Sequence, residues 1–239
     1  MPQRPRSGAV VVGLDLAGSP RRDTGACALA GPRRVTVRVV RSDDEILDFV
    51  RAARPVLVVI DAPLSLPHGR ANLDDRSGPH LRACDRELLR LKVPFFPLTL
   101  GPMRMLTDRG MHLNRAISGL GVPVLEGYPG GSQDLLGWPR QKASRTVLQR
   151  RLRHEGLEGE IADRSLSGDE LDAVTIAWVG WNFMKGRGTL IGDPAEGLML
   201  LPEDRRAATR RRPMGAQTRP TPRETNRLPE RRSVGKGGM

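Results

Sequence analysis

Apolar positions recur along this chain with two different periods, and the changes of period lay out an order of elements. Residues 8–19, GAVVVGLDLAGS, form a β-branched run ending in glycine and a turn, which predicts a buried strand. TGACALAG (24–31) and RRVTVRVVRS (33–42) follow at hairpin distances, and the second alternates apolar and polar residues as a half-exposed strand does. At SDDEILDFVRAAR (42–54) the period becomes helical. Ser42 stands where an N-cap belongs, the first turn is acidic, and Ile46, Leu47, Phe49 and Val50 share a face. PVLVVIDAP (55–63) is the most apolar run, stopped by Pro63, and reads as a central parallel strand.

A Pro-rich insertion follows at about 64–102, with helical spacing only in HLRACDRELLRLK (80–92). PMRMLTDRGMHLNRAISGL (102–120) is again helical, and GVPVLEGYP (121–129) is a further strand. Lys142–Glu155 reads as a basic surface helix, Asp169–Met184 as an apolar helix, and 189–201 as two short strands. Three meandering strands, a helix, a strand, a helix, a strand and a final helix match the RNase H-like fold. That fold is α/β, with a mixed sheet of three antiparallel strands and then parallel ones, flanked by helices. No internal repeat is present. One domain is expected over 8–202, with a basic lead (1–7) and a basic tail (203–239), both disordered.

Charge sharpens the tail. From Glu203 onward eleven Lys/Arg face four Asp/Glu, so +7 of the chain's +12 lies there and the body is only mildly basic. Such an arm suits nucleic acid, or is a solvated extension. Cys27 and Cys84 make neither a disulfide framework nor a zinc pattern. No apolar stretch has membrane-spanning length, so a reduced cytoplasm is the expected compartment. Oligomeric state is left open. Aromatic residues make up 3% of the chain, which argues against base stacking on single strands.

The chemistry lies in carboxylates. Asp15 ends the first strand and Asp61 the central one, and neighbouring strands would make the two neighbours. Asp169 and Asp172, three apart, lie on one side of the last helix and can reach the same point. Clustered carboxylates raise each other's pKa unless a cation neutralises them, and all-oxygen ligands favour Mg²⁺ or Mn²⁺. Two such ions can activate water and stabilise the leaving oxygen of a phosphodiester. Each acid also has a plainer reading: Asp61 as a turn residue before Ala-Pro, Asp15 as a loop-amide acceptor, Asp169 as the helix cap. Arg82, Asp85 and Arg86 at helical spacing form either a phosphate clamp or a surface ion-pair cluster. Arg140 and Lys142 add positive charge suited to a nucleic-acid backbone.

GLDLAG, VVIDAPLSLP, RACDREL, LEGYP and GDELDAVTIA resemble, in this order, the motif set of an uncharacterised family of predicted RNase H-fold nucleases, domain of unknown function 429. The resemblance runs from about Val10 to Leu201. GDELDAVTIA is also similar to the final metal-binding helix of bacterial Holliday-junction resolvases. The resemblance implies Asp15, Asp61, Asp169 and Asp172 as metal ligands, and a nuclease acting on DNA or RNA. Asp61 is a departure, being shorter than the glutamate usual in those nucleases. Glu126 and Tyr128 belong to the family pattern: Glu126 as an extra ligand or base, or an arginine's partner, and Tyr128 as a substrate contact or plain packing. Two alternatives stand beside this: a non-catalytic nucleic-acid-binding or scaffold protein, and an actin-like phosphotransferase. The second lacks a glycine-rich phosphate loop after the central strand and the length for two lobes.

Overall fold

The computed structural model describes residues 8–206. The first three strands, β1 (Val10–Asp15), β2 (Thr24–Ala30) and β3 (Arg34–Val40), form an antiparallel meander. Helix α1 (Asp43–Ala53) crosses to β4 (Leu57–Ile60), which runs parallel to β1. The insertion contributes α2 (Ala83–Arg90), and α3 (Gly101–Gly119) leads to β5 (Val124–Gly127), parallel to β4. Then come α4 (Pro129–Leu136), α5 (Arg145–His154), β6 (Glu158–Gly159), α6 (Glu160–Asp163), α7 (Gly168–Met184), β7 (Thr189–Asp193) and β8 (Gly197–Leu201). The sheet order is β6-β3-β2-β1-β4-β5-β8-β7. Its centre, a meander whose first strand pairs in parallel with β4, which in turn pairs in parallel with β5, is the RNase H-like topology. Among the described residues no helix is long and apolar enough to cross a membrane.

Two helical layers cover the sheet. Along β1 and β4 the period of two sends Val12, Leu14, Val58 and Ile60 to the layer of α1 and α3, with Ile46, Val50, Leu113 and Ile117. Val11, Leu57 and Val59 face α7 instead, in a core that also holds α5. Asp15 and Asp61 continue this second parity, so the strands aim both carboxylates towards α7.

Helix α7 lies unusually close to the sheet because glycines remove the side chains beneath it. A Cβ on Gly13 would come within 2.2 Å of the Ala173 carbonyl oxygen, and one on Gly25 within 2.1 Å of that of Asp169. Those glycines seat the first two turns of the helix. Its sides are then buried all round, with Leu171, Val174, Trp178 and Trp181 all in the core.

Several segments lie outside the sequence expectation. Helix α4 occupies PGGSQDLL, a stretch given no element from the sequence; Pro129 is accepted because the first helical positions need no N–H partner. The short β6 and α6 extend the sheet beyond β3. Glu203–Arg206, assigned to the tail in the sequence, lie against the body: the Arg205 amide donates to the Leu135 carbonyl, and its guanidinium pairs with Glu155 at 3.1 Å and lies 5.7 Å from the Trp178 ring centre. The lead (1–7) and 207–239 lie outside the described residues.

Candidate metal centre

The four aspartates converge. Asp15, Asp61, Asp169 and Asp172 line one cavity of about 470 Å³ at the carboxyl ends of β1 and β4, together with Arg22, Asp23, Gln141 and Lys142. Asp15 and Asp61 keep a small exposed surface towards this cavity, while close packing behind them withholds water. Burial first, then the charges of Asp61, Asp172 and Asp169, holds the Asp15 carboxyl well above the usual carboxylate range. Asp61 is raised likewise by burial and by Asp172. Asp172 is pushed up to about 6, by burial and by Asp169, against the lowering pull of the Gln133 amide. Asp169 is raised by burial and by Asp23.

Capping does not account for Asp169. Ser167 is the N-cap, its hydroxyl accepting the Glu170 amide at 3.2 Å, and the Glu170 carboxylate accepts the Ser167 amide at 2.8 Å. The box is complete without Asp169, whose carboxylate turns to the cavity.

Among the described residues no three acidic, histidine or cysteine side chains already form a ready coordination set. The chemistry of the donors nevertheless fits a hard divalent cation. The quartet offers only oxygen, carries up to four negative charges, and has no ion pair among the described residues.

Of the other sequence candidates, Arg82, Glu126, Tyr128, Arg140 and Lys142 line a cavity adjoining the acidic one, and Arg86 does not. Arg82 is corrected as a substrate contact, and the expected surface cluster is a buried network. Its guanidinium donates to Glu126 at 2.6 and 2.7 Å and to Asp85 at 3.0 and 3.2 Å, and Arg82 is 2% exposed. Both carboxylates hold it, leaving no donor edge for a phosphate. Glu126, which also accepts the Leu64 amide at 2.9 Å, is thereby an arginine's partner that ties the insertion to β5. Arg86 lies away from the cavity linings, donating to the Leu81 carbonyl at 2.8 Å and facing Glu196 at 3.9 Å. Tyr128 and Arg140 line a second cavity of about 280 Å³ that shares Asp61, Asp172 and Lys142 with the first. Arg140 pairs with Asp134 at 2.7 Å and lies 5.7 Å from the centre of the Tyr128 ring.

Gln133 was not legible as part of this site. Its amide nitrogen donates to Asp172 at 2.6 Å and to the Thr175 hydroxyl at 3.3 Å, fixing the rotamer of Asp172, while its carbonyl oxygen is buried without a partner. It sits on α4, a stretch given no element from the sequence. Only the helical spacing of Gln133 from Leu136 hints at it.

The topology and the acidic cavity define an RNase H-like protein with a carboxylate quartet at the ends of its two central strands. The chain belongs to the family described as protein of unknown function (DUF429), whose model matches residues 13–196. A solved structure described as the Thermus thermophilus RuvC structure is similar, at 16% identity and a TM-score of 0.41, over 74% of this chain and 96% of that one. By sequence, no curated protein matches.

Proposed function

We propose that this chain is a divalent-metal-dependent nuclease that hydrolyses phosphodiester bonds in DNA or RNA, with Asp15, Asp61, Asp169 and Asp172 holding Mg²⁺ or Mn²⁺. The observation that carries the reading is that four carboxylates face one cavity and none of them makes an ion pair among the described residues. Bound there, a divalent ion supplies Lewis acidity at the phosphate and neutralises charge on the leaving oxygen. Asp15 and Asp61, both held above the usual carboxylate range by burial, give up their protons on ion binding, which makes affinity rise with pH. Gln133 keeps Asp172 in its rotamer. Lys142, exposed on the rim of both cavities, and Arg22 in the larger one attract and position the phosphate backbone. Arg140, braced by Asp134, is placed to orient the strand beyond the scissile bond.

Calorimetric titration with Mg²⁺ and Mn²⁺, followed by cleavage assays on labelled single strands, duplexes and branched junctions, tests the proposal. The expected outcome is ion binding and metal-dependent cleavage, both lost in Asp61→Asn. Binding of nucleic acid without any response to either ion points to a non-catalytic binder and sinks the nuclease.

A further inference from the structure

The smaller cavity is chemically unlike the acidic one that adjoins it. Apolar and aromatic side chains make most of its wall: Phe95 and Phe96 from the insertion, Tyr128 at the start of α4, and Met103 and Leu106 from α3, which also line the acidic cavity. The chain has four Phe, three Trp and one Tyr, so three of its eight aromatics surround this one space. Scarcity of aromatics argued against stacking; their concentration here reverses that argument.

The wall is also held in place. The Tyr128 hydroxyl and the Arg140 guanidinium both donate to the Pro94 carbonyl, the latter at 3.2 Å. The peptide just before the two phenylalanines is thus tied to Tyr128 and Arg140, which also line the cavity. Phe96 remains 71% exposed, the most exposed large apolar residue among those described. An exposed ring at the mouth of an apolar cavity is suited to a partner's flat face.

We propose that this cavity receives one unstacked nucleobase of the strand whose phosphate lies at the carboxylates, so that the substrate is a nucleic acid with an unpaired nucleotide beside the scissile bond. Position and size support this. The two cavities share Asp61, Asp172 and Lys142, which places a base in one within a single nucleotide of a phosphate in the other. At about 280 Å³ the space is at the small end of ligand pockets, enough for one nucleotide's base and too small for a base pair. A base presents an apolar face and a polar edge, which is the division between the aromatic wall and the Gln141–Lys142 rim. A base inside a duplex cannot enter without leaving its stack. The proposal rests on the nuclease reading only for the location of the phosphate.

Anisotropy with labelled oligonucleotides, in EDTA and again with Mg²⁺, reads binding apart from turnover. The probes are a single-stranded 12-mer, its blunt duplex and adenosine monophosphate. The 12-mer should bind more tightly than the duplex. Phe96→Ala, a surface change that spares the core, should weaken it about fivefold to a hundredfold, the worth of one base–aromatic stack, while leaving duplex binding unchanged. Lys142→Ala should weaken both polymers alike. Equal affinity for strand and duplex in both conditions, or indifference to Phe96→Ala, overturns the proposal. Mononucleotide binding as tight as the strand and equally dependent on Phe96 would assign the cavity to free nucleotides and overturn the strand. Calorimetry of the same samples with Mg²⁺ separates the two readings: ion binding without strand preference removes the base pocket alone, and strand preference without ion binding removes the metal centre alone.

Discussion

Replacing Asp172 by asparagine isolates the cost of crowding the four acids. The change keeps the size of the side chain and the oxygen that accepts the Gln133 amide, now at 2.6 Å, but removes the charge. In the folded protein the Asp172 carboxyl titrates at about 6, against about 3.9 in an unfolded chain. The folded state therefore keeps a proton that the unfolded chain has already released. Stability is full below about pH 4 and falls as pH rises through 6. Roughly two units at about 1.4 kcal/mol each give on the order of 3 kcal/mol lost by pH 8. Part of that is recovered by relaxation of the exposed cavity edge, so Asp172→Asn should stabilise the metal-free protein at pH 8 by about 1–3 kcal/mol. For a chain of this size that is a melting temperature higher by roughly 3–10 °C. At pH 4 the two proteins should melt together. Added Mg²⁺ or Mn²⁺ should raise the wild-type melting temperature at pH 8 and leave the variant unmoved. Scanning calorimetry at both pH values, with EDTA and with each ion, supplies every number needed. If Asp172→Asn melts lower at pH 8 and wild type ignores both ions, the carboxylate is a structural acceptor and the crowding argument is wrong.

Other consequences follow from neighbouring contacts. Ser167→Ala should cost about 1 kcal/mol in thermal or urea melts, because the hydroxyl caps α7. Asp169→Ala should cost less than about 0.5 kcal/mol while weakening ion binding, and equal losses in the two would return Asp169 to a capping role. Gly25→Ala sets a methyl group 2.1 Å from the Asp169 carbonyl oxygen, where backbone must yield; about 1–3 kcal/mol of destabilisation and weaker Mg²⁺ binding are expected, and an unchanged ion affinity would show that close seating of α7 is unnecessary for the site. Arg82→Ala leaves Glu126 and Asp85 buried without their cation and should cost about 3–5 kcal/mol in chemical denaturation; a loss below 1 kcal/mol would mean that water satisfies the pair.

Much of this architecture could be read from local pattern because local pattern produced it. The Ser42 cap is present as expected, with Glu45 completing its box, and the alternation of Val35 and Val37 does bury one face of β3. The four aspartates were legible for a related reason. Two stood at strand ends and two at helical spacing, and parity alone decides which face each takes. What stayed hidden depends on contacts distant in sequence. Arg82 and Glu126 are 44 positions apart, and nothing in RACDREL distinguishes a buried guanidinium from a solvated one. Helix α4 begins in Pro-Gly-Gly, where intrinsic preference opposes helix and packing against α7 overrides it. Phe95 and Phe96 are equally opaque, two aromatics in a Pro-rich stretch, until the Pro94 carbonyl is seen to be clamped by Tyr128 and Arg140.

The strongest argument for function comes from comparing carboxylates within the one domain. Glu126, Glu170 and Glu196 are all buried, and each is satisfied: Glu126 by Arg82, Glu170 by Arg164 and the Ser167 amide, Glu196 by the amides of His68 and Ala83. These are the solutions expected when an acid serves structure, since a buried charge left unpaired costs several kcal/mol. The chain has 39 Lys and Arg residues, so cations were not in short supply. Yet among the described residues Asp15 and Asp61 have no ion pair, Asp172 meets an amide, and Asp169 stands apart from a cap that Ser167 already provides. Four acids lining one cavity, with their pKa values pushed up and Arg140 paired to Asp134 instead, lower the stability of the folded chain by themselves. A cluster of that kind is expected where the missing positive charge is supplied from outside the polypeptide, and a divalent cation has both the charge and the preference for oxygen that these four side chains present.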